Sequence, residues 1–248
     1  MSAILIPTVK NAPPRRPSGG RSVPPLEQGD RLTRAEFHRR YQAMPGVKHA
    51  ELIEGVVHMP SPVKFSRHSQ PHACLMGWLI HYAAFTPGVS VGDNGTVQLD
   101  AGNEVQPDAF LLLPPALGGR SRITAEDYVE GAPDLVVEIA SSSASYDLHD
   151  KKAAYSRNGV GEYFVWVTGE QRIEWWALED GRYADLPVED GRLIKSRVFP
   201  GLWLEAQALL RGEMAEVLAV LQQGLASPEA AAFQARLRAV GEAAAQDE

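Results

Sequence analysis

Two apolar segments of this chain carry a carboxylate, and this feature constrains the fold more than any other. Asp108 opens the apolar run 109–113, and Glu138 lies inside the apolar run 135–140. A carboxylate within an apolar strand is costly to bury unless it is paired with a cation or bound to a metal ion. The fold must therefore bring a partner to each of these two side chains.

A lysine on a predicted helix is the natural partner for these carboxylates. The helix covers about residues 147–158, and Asp147, Lys151 and Tyr155 share one of its faces at intervals of four residues. Lys152 points about 100° away, so only one of the two lysines can serve. Two carboxylates that hold a hard divalent cation, with a lysine that steadies the developing charge or the attacking water, are what hydrolysis of a phosphodiester requires.

Each of these residues also has a purely structural interpretation, which the sequence leaves open. Asp108 follows a proline and is also typical of a turn at the start of a strand. Glu138 shares one face of its strand with Val136 and Ala140, so it fits a strand with one solvated face or an edge strand. Asp147 and Lys151 fit a surface salt bridge that contributes little to stability.

Composition narrows the class of protein. The 248 residues are 44% hydrophobic and 22% charged, which is typical of a globular chain with room for tails. The net charge of −7 argues mildly against non-specific binding to duplex DNA, although metal-binding carboxylates would account for part of it. Cys74 is the single cysteine, so we expect a buried thiol and a cytoplasmic protein, with no secretory signal and no membrane span.

The order of predicted elements favours an α/β fold with a mixed sheet. Residues 1–30, rich in Pro, Gly, Arg and Ser from residue 8 on, are predicted to be a disordered arm. Thr33 is the expected cap of a first helix that ends near Gln42. The chain continues with strands at 50–59 around a Glu54-Gly55 turn, a helix over 66–85, strands at 89–91 and 96–99 around Asn94-Gly95, strands at 105–113, 135–140, 162–167 and 172–177, and helices at 206–222 and 228–245.

Other catalytic patterns are weak. His68 and His72 are four residues apart, which suits zinc on a helix, but no third ligand is evident. His72 is better explained as a partly buried or surface histidine. The serines at 141–145 lack the glycine pattern of a hydrolase nucleophile, and no glycine-rich phosphate loop is present.

The acidic residues belong to a longer set of motifs that resembles a known family. In order these are Glu51-Leu52-Ile53-Glu54-Gly55-Val56-Val57, Ser61-Pro62 with His68, Pro107-Asp108, Val136-Val137-Glu138-Ile139-Ala140-Ser141, Asp147 with Lys151 and Tyr155, Gly159-Val160-Gly161-Glu162-Tyr163-Phe164 and Phe199-Pro200-Gly201-Leu202. Together they cover about residues 32–210. The chain resembles the Uma-two family of restriction-endonuclease-like proteins, a branch of the PD-(D/E)XK nuclease superfamily.

The resemblance implies a restriction-endonuclease-like core over residues 31–210, a mixed sheet flanked by helices, followed by a helical C-terminal extension over 211–248. It implies Mg²⁺ (or Mn²⁺) held by Asp108 and Glu138, with Glu51 as a further acidic metal ligand. Ala140 stands where the superfamily pattern has its lysine, and Lys151 on the next helix matches the position to which this family has moved it. His68 also matches a family position, with no task assigned to it.

The expected function is that of a Mg²⁺-dependent DNA endonuclease that hydrolyses phosphodiester bonds with metal-activated water. We expect a DNA substrate and a homodimer, because many such enzymes cut both strands as dimers. The alternative is a catalytically inactive module with the same fold that serves as a nucleic-acid or protein interaction domain, because a fold alone does not establish an activity.

Overall fold

The computed structural model describes residues 23–59, 62–141 and 144–244. Its helices are α1 (Arg34–Gln42), α2 (Gln70–Ala84), α3 (Lys152–Asn158), α4 (Ala206–Arg211), α5 (Met214–Leu225) and α6 (Pro228–Ala244). Its strands are β1 (Glu51–Ile53), β2 (Val56–His58), β3 (Ser90–Asp93), β4 (Val97–Asp100), β5 (Asn103–Val105), β6 (Ala109–Leu112), β7 (Arg120–Ile123), β8 (Val129–Ala132), β9 (Leu135–Ala140), β10 (Glu162–Val167), β11 (Arg172–Glu179), β12 (Arg182–Asp185), β13 (Val188–Glu189), β14 (Leu193–Lys195) and β15 (Trp203–Glu205). Two π-helical segments, Phe65–Ser69 and Tyr146–Lys151, lead directly into α2 and α3.

Two mixed sheets and the helices around them form the fold, which confirms the predicted α/β class. The central sheet has the order β12-β11-β10-β9-β6-β3, and β9 and β10 are parallel while the other pairs are antiparallel. The second sheet has the order β2-β1-β5-β4-β8-β7, with β4 and β8 parallel. A short sheet of β13, β14 and β15 lies before the C-terminal helices.

Strand β9 is the buried centre of the molecule. It pairs with β10 on one side and β6 on the other, and all six of its residues are buried. Leu135, Val137 and Ile139 pack on the side of α2 and the C-terminal helices, whereas Val136 and Ala140 pack on the side of the second sheet. The interpretations of Glu138 as a residue on a solvated face or on an edge strand are therefore wrong.

The C-terminal helices belong to the main hydrophobic core. Val217 and Leu221 of α5, and Phe233 and Leu237 of α6, are buried in the same cluster as Trp78 of α2. This burial supplies a partner, within the same chain, for the apolar stripe of these helices. The domain boundary at residue 210 stays a prediction, as does an assembly role for the tail.

Local sequence signals explain several boundaries. Thr33 accepts a hydrogen bond from the backbone N–H of Glu36, as a helix cap does. Glu54 and Gly55 both have positive φ, which the tight turn between β1 and β2 requires. Ser227 accepts from the N–H of Ala230 at the start of α6.

Two predictions about the strands are wrong. The Asn94-Gly95 signal suggested a hairpin, but β3 pairs with β6 in the central sheet while β4 pairs with β5 and β8 in the second. The single predicted strand over 105–113 is in fact β5 and β6, which lie in different sheets. Both segments carry the chain from one sheet to the other, which local sequence patterns do not reveal.

The predicted arm over residues 1–30 lies mostly outside the described residues. Where it enters them, the chain contacts the domain: Leu26 is buried, and the N–H of Gly29 donates to the carbonyl of Val57. No helix within residues 23–59, 62–141 and 144–244 is long and apolar enough to cross a membrane.

Candidate active site

The predicted site residues meet where the two sheets approach each other. Glu51 is the first residue of β1, Asp108 directly precedes β6, and Glu138 lies in the middle of β9. Lys151 is the last residue of the second π-helical segment, and His68 lies in the first. π-helical turns are rare in proteins, but those that occur often lie at functional sites. Two such segments beside the same acidic residues therefore strengthen the case for a functional site.

Lys151 connects the acidic residues. Its Nζ lies 2.9 Å from Oε1 of Glu138, 3.0 Å from Oε1 of Glu51 and 3.6 Å from Oδ1 of Asp147. The side chain is only 6% exposed, so the interpretation of Asp147 and Lys151 as a surface salt bridge is wrong. Lys152 instead places its Nζ 3.4 Å from the centre of a tryptophan ring. The predicted choice of Lys151 over Lys152 as the lysine that faces the carboxylates is confirmed.

Glu138 is a buried carboxylate in an acidic environment. Lys151 and the hydroxyl of Tyr155 (3.0 Å) both donate to its Oε1, and Oε2 accepts no hydrogen bond from the described residues. Burial raises the pKa of Glu138 well above its usual value, and the charges of Asp147 and Asp108 add to this effect while Lys151 opposes it. The site therefore has more negative charge than its one buried lysine balances.

Glu51 has the opposite tendency. Burial alone would raise the pKa of its carboxyl, but the charge of Lys151, the imidazole of His49 at 3.9 Å and the hydrogen bond from the backbone N–H of Gln106 lower it to about 2. The Gln106 N–H lies 2.8 Å from Oε1, the oxygen that also contacts Lys151. Glu51 thus stays ionised and holds Lys151 in place; its predicted role as a metal ligand stays a prediction.

Asp108 is tied to the strand that carries Glu138. Its Oδ2 accepts a hydrogen bond of 2.7 Å from the N–H of Ile139, the residue after Glu138, and its charge contributes to the raised pKa of Glu138. Its Oδ1 lies 3.0 Å from Nε2 of His68, and this hydrogen bond raises the pKa of His68. His72, one turn further on, lies 3.1 Å from the Asp108 carbonyl oxygen and is half-buried as predicted.

The donor set fits a hard divalent cation in chemistry. Carboxylate oxygens are the ligands that Mg²⁺ prefers, and Oε2 of Glu138 and Oδ1 of Asp108 are the oxygens least engaged by backbone and lysine. In the described part of the chain no group of three or more His, Cys, Asp or Glu side chains is arranged to hold a metal. Mg²⁺ typically takes one or two carboxylates and keeps several waters, so two carboxylates are sufficient.

The sequence did not reveal two supporting contacts. The sequence placed Tyr155 on the same helix face as Lys151 but did not indicate that its hydroxyl binds Glu138. Tyr163 donates to the carbonyl oxygen of Asp147, and its ring packs 4.9 Å from that of Tyr155. The only sequence signal for Tyr163 is its position in the apolar strand β10, where a tyrosine is equally typical of a core.

A family model described as "Putative restriction endonuclease" matches residues 34–207, which include every one of the predicted site residues. The chain belongs to the Uma2 family. This confirms the resemblance that the ordered motifs indicated. The match also covers both sheets and the π-helical segments that position the acidic residues.

A solved structure shares the fold of this Uma2 member. It is the crystal structure at 1.96 Å resolution of a protein described as a "putative nuclease belonging to DUF820" from Anabaena variabilis. The TM-score is 0.54 at 13% sequence identity, and the match covers 70% of this chain and 96% of that one. At this identity the likeness shows the fold alone. Among curated proteins, no sequence matches this chain.

Proposed function

We propose that this protein is a metal-dependent DNA endonuclease that hydrolyses phosphodiester bonds at the site of Asp108, Glu138 and Lys151. Membership of a family described as "Putative restriction endonuclease" supports the reaction class. The observation that carries the proposal is the contact of the buried Lys151 with Glu138 and Glu51, beside a third carboxylate, Asp108, which directly precedes the neighbouring strand. A buried charge network of this kind is costly to maintain for stability alone.

Asp108 and Glu138 would hold the Mg²⁺ or Mn²⁺ ion. When bound, the ion lowers the pKa of a water nucleophile and offsets charge on the phosphate oxygens. Asp108 is held for this role from both sides, by the N–H of Ile139 on Oδ2 and by His68 on Oδ1. Oε2 of Glu138 stays available because Lys151 and Tyr155 both bind Oε1.

Lys151 would donate a hydrogen bond to the attacking water or to a phosphate oxygen. Its ammonium group stays protonated: although burial disfavours the charge, Glu138, Glu51 and Asp147 raise its pKa well above the usual value. Glu51 and Tyr155 act as positioning residues, since one binds Lys151 and the other shares Oε1 of Glu138 with it. His68 positions Asp108 in the same way.

A homodimer would present two such sites and would allow both strands of DNA to be cut. The expectation of a homodimer rests on the family resemblance, whereas the expectation of a cytoplasmic location rests on the single cysteine. Light scattering on the full chain measures the assembly directly: a mass of about twice 27.0 kDa is expected, and a mass of one chain would contradict it.

Nicking of supercoiled plasmid DNA tests the proposed function. We expect cleavage with Mg²⁺ or Mn²⁺ that stops when the ions are chelated and is lost in Asp108→Asn and Glu138→Gln. Glu170→Gln is a matched control, because Glu170 is an exposed carboxylate whose ion-pair partner in the described part of the chain is Arg172. Wild-type protein that neither cleaves nor binds these ions would contradict the proposal and would favour a non-catalytic interaction module. Cleavage that survives both site substitutions would place the reaction elsewhere.

A further inference from the structure

A polar cavity lies against the second sheet, on the face opposite the candidate active site. Its volume is about 260 Å³, far more than a single water needs. It lies against α1, and Glu104 of β5 faces it while the next residue, Val105, packs in the core between the sheets. We call it the α1 pocket; its lining is His38, Tyr41, Gln42, Met44, Pro45, Val47, Thr96, Glu104, Gln106 and Tyr128.

Glu104 is the unusual residue of the α1 pocket. Its side chain is 1% exposed, and Oε1 lies 2.8 Å from Nδ1 of His38. Oε2 is buried and has no hydrogen-bond partner among the residues that the structure describes. Buried carboxylate oxygens are nearly always satisfied by a donor, so an unsatisfied oxygen on a residue that lines a cavity points to a donor from outside the chain.

The histidine engages only the first oxygen of Glu104. Nδ1 of His38 lies 2.8 Å from Oε1, and the side-chain amide nitrogen of Gln42 lies 2.8 Å from Nε2 of His38. Both ring nitrogens thus have a partner, and Oε2 of Glu104 remains without a donor among the described residues.

The rest of the lining suits a planar ring. The ring of Tyr128 stands edge-on to His38 at 5.1 Å, and Tyr41 adds a second aromatic side chain. Gln106 places a polar amide beside them, within 3.1 Å of the Thr96 hydroxyl. Aromatic side chains that stack on a base, together with amide and carboxylate groups that read its edge, are how proteins recognise unpaired nucleobases.

We propose that the α1 pocket binds a nucleobase that carries an exocyclic amino group, whose N–H donates to Oε2 of Glu104. Cytosine and adenine have such a group, whereas thymine presents a carbonyl oxygen in its place, and a carboxylate accepts from an amino group. The same chemistry has two sources, an unpaired base of a DNA strand and a free nucleoside. The first source rests on the proposed nuclease function.

The backbone connects the α1 pocket to the candidate active site. The side chain of Gln106 lines the pocket, while its N–H binds the same oxygen of Glu51 that contacts Lys151. A base in the pocket would thus be separated by one residue, Gln106, from Glu51, which positions Lys151. A strand held in this way would be anchored close to the site of cutting.

Binding without metal tests the inference separately from cleavage. We expect short labelled strands of deoxycytidine or deoxyadenosine to bind the full chain, in EDTA, about tenfold more tightly than strands of thymidine, because one hydrogen bond to a charged acceptor is gained. Glu104→Gln should abolish or invert this preference, since its amide can present a donor to the cavity. Tyr128→Leu should weaken all strands alike through lost stacking, and Glu130→Gln, on the neighbouring β8, should change nothing.

Cytidine and thymidine as free competitors distinguish the two sources. Selective binding of the strands supports a base of DNA, and selective binding of cytidine alone supports a free nucleoside. Equal affinity for all bases in the wild type, or a preference that Glu104→Gln leaves intact while the variant melts like wild type, would overturn the inference and leave only water in the pocket. Glu138→Gln should keep the preference while it loses cleavage. Wild-type protein that shows the preference but does not cleave with Mg²⁺ or Mn²⁺ would count against the nuclease function alone.

Discussion

Two buried glutamates on adjacent strands, Glu138 and Glu162, face opposite sides of the central sheet. Glu138 of β9 lies on the side of the second sheet, and Glu162 of β10 lies on the side of the C-terminal helices, in register with Phe164 and Trp166. Both are almost fully buried. The donors around them differ, and this difference separates a structural carboxylate from one that is available for chemistry.

Glu162 is completely satisfied by neutral donors. Its Oε2 accepts from the indole N–H of Trp175 and the hydroxyl of Ser196, and its Oε1 accepts from the backbone N–H groups of Arg197 and Val198. Glu138 has a buried cation, one hydroxyl and three neighbouring carboxylates, and one of its oxygens accepts nothing from the described residues. The four hydrogen bonds to Glu162 fix the loop at residues 196–198, whereas Oε2 of Glu138 is available to bind an ion.

The largest effect is expected when each glutamate is changed to glutamine. Glu138→Gln should reduce plasmid cleavage on the order of a thousandfold, the scale of losing the charge stabilisation that a bound ion supplies. Its melting temperature should change little, because glutamine has the shape of glutamate and Lys151 keeps its ion pair with Glu51.

Glu162→Gln should show the reverse pattern. The new NH₂ group meets a donor at either position, so we expect a loss of about 2 kcal/mol and a melting temperature lower by about 4–8 °C. Cleavage per folded molecule, measured below that temperature, should be retained. If both variants lose activity and stability to the same degree, the two carboxylates do not differ in role.

Lys151 gives the next largest effect. Lys151→Met leaves three buried carboxylates without their cation, which should cost about 3–5 kcal/mol of unfolding free energy and abolish cleavage. Lys152→Met is the matched control, since its amine lies over Trp176 outside the site. Denaturant unfolding and plasmid cleavage measure both variants, and an equal loss from the Lys152 variant would refute the assignment of Lys151.

The sequence revealed the apolar strands and the acidic residues but could not sort the latter by role. Asp108, Asp134 and Glu162 all stand at the start of an apolar strand, and the pattern is the same in each. The sequence singled out Asp108 and passed over Glu162, whose four donors come from positions 13 to 36 residues away. Donors of that kind are set by tertiary structure, which a one-dimensional pattern does not contain.

The absence of tertiary information in a sequence pattern also explains the wrong predictions of strands. Strands β9 and β10 were predicted correctly because continuous apolar runs mark them. Strands β7 and β8 were missed because polar residues and a glycine interrupt them, and the Asn94-Gly95 signal was misread because β3 and β4 belong to different sheets. The burial of Lys151 was equally invisible, since a lysine on a helix is usually exposed.

Divalent cations should stabilise the Glu138 side of the sheet selectively. At an ion concentration about a hundred times the dissociation constant, binding contributes about 2.7 kcal/mol. We expect Mg²⁺ to raise the melting temperature of the wild type and of Glu162→Gln by about 5–10 °C. Glu138→Gln should show no such rise, and an equal rise in that variant would mean that the ion binds elsewhere.

The smallest effect concerns Asp134, a third buried carboxylate that precedes β9 and accepts from the N–H of Leu113. Burial raises its pKa to about 6. The folded state then holds its proton more tightly than the unfolded state, whose pKa is near 3.8. Protonation of Asp134 thus stabilises the folded state below about pH 4. As the pH rises through 6 this contribution, about 1–2 kcal/mol of unfolding free energy, is lost.

Asp134→Asn tests this linkage, because its amide oxygen still accepts from Leu113 while the charge is removed. Its stability, measured by denaturant unfolding between pH 4 and 7, should rise relative to wild type as the pH increases. Parallel curves for the two proteins would show that Asp134 is not the group that titrates.

The proposed metal site is tested most directly by a crystal soaked in Mn²⁺ and measured at a wavelength where manganese scatters anomalously. We expect a peak about 2.0–2.3 Å from a carboxylate oxygen of Asp108 and from Oε2 of Glu138, with the amine of Lys151 close by and no peak at Glu162. Absence of a peak at Asp108 and Glu138 under conditions in which the protein cleaves DNA would contradict the claim that these two residues hold the catalytic ion.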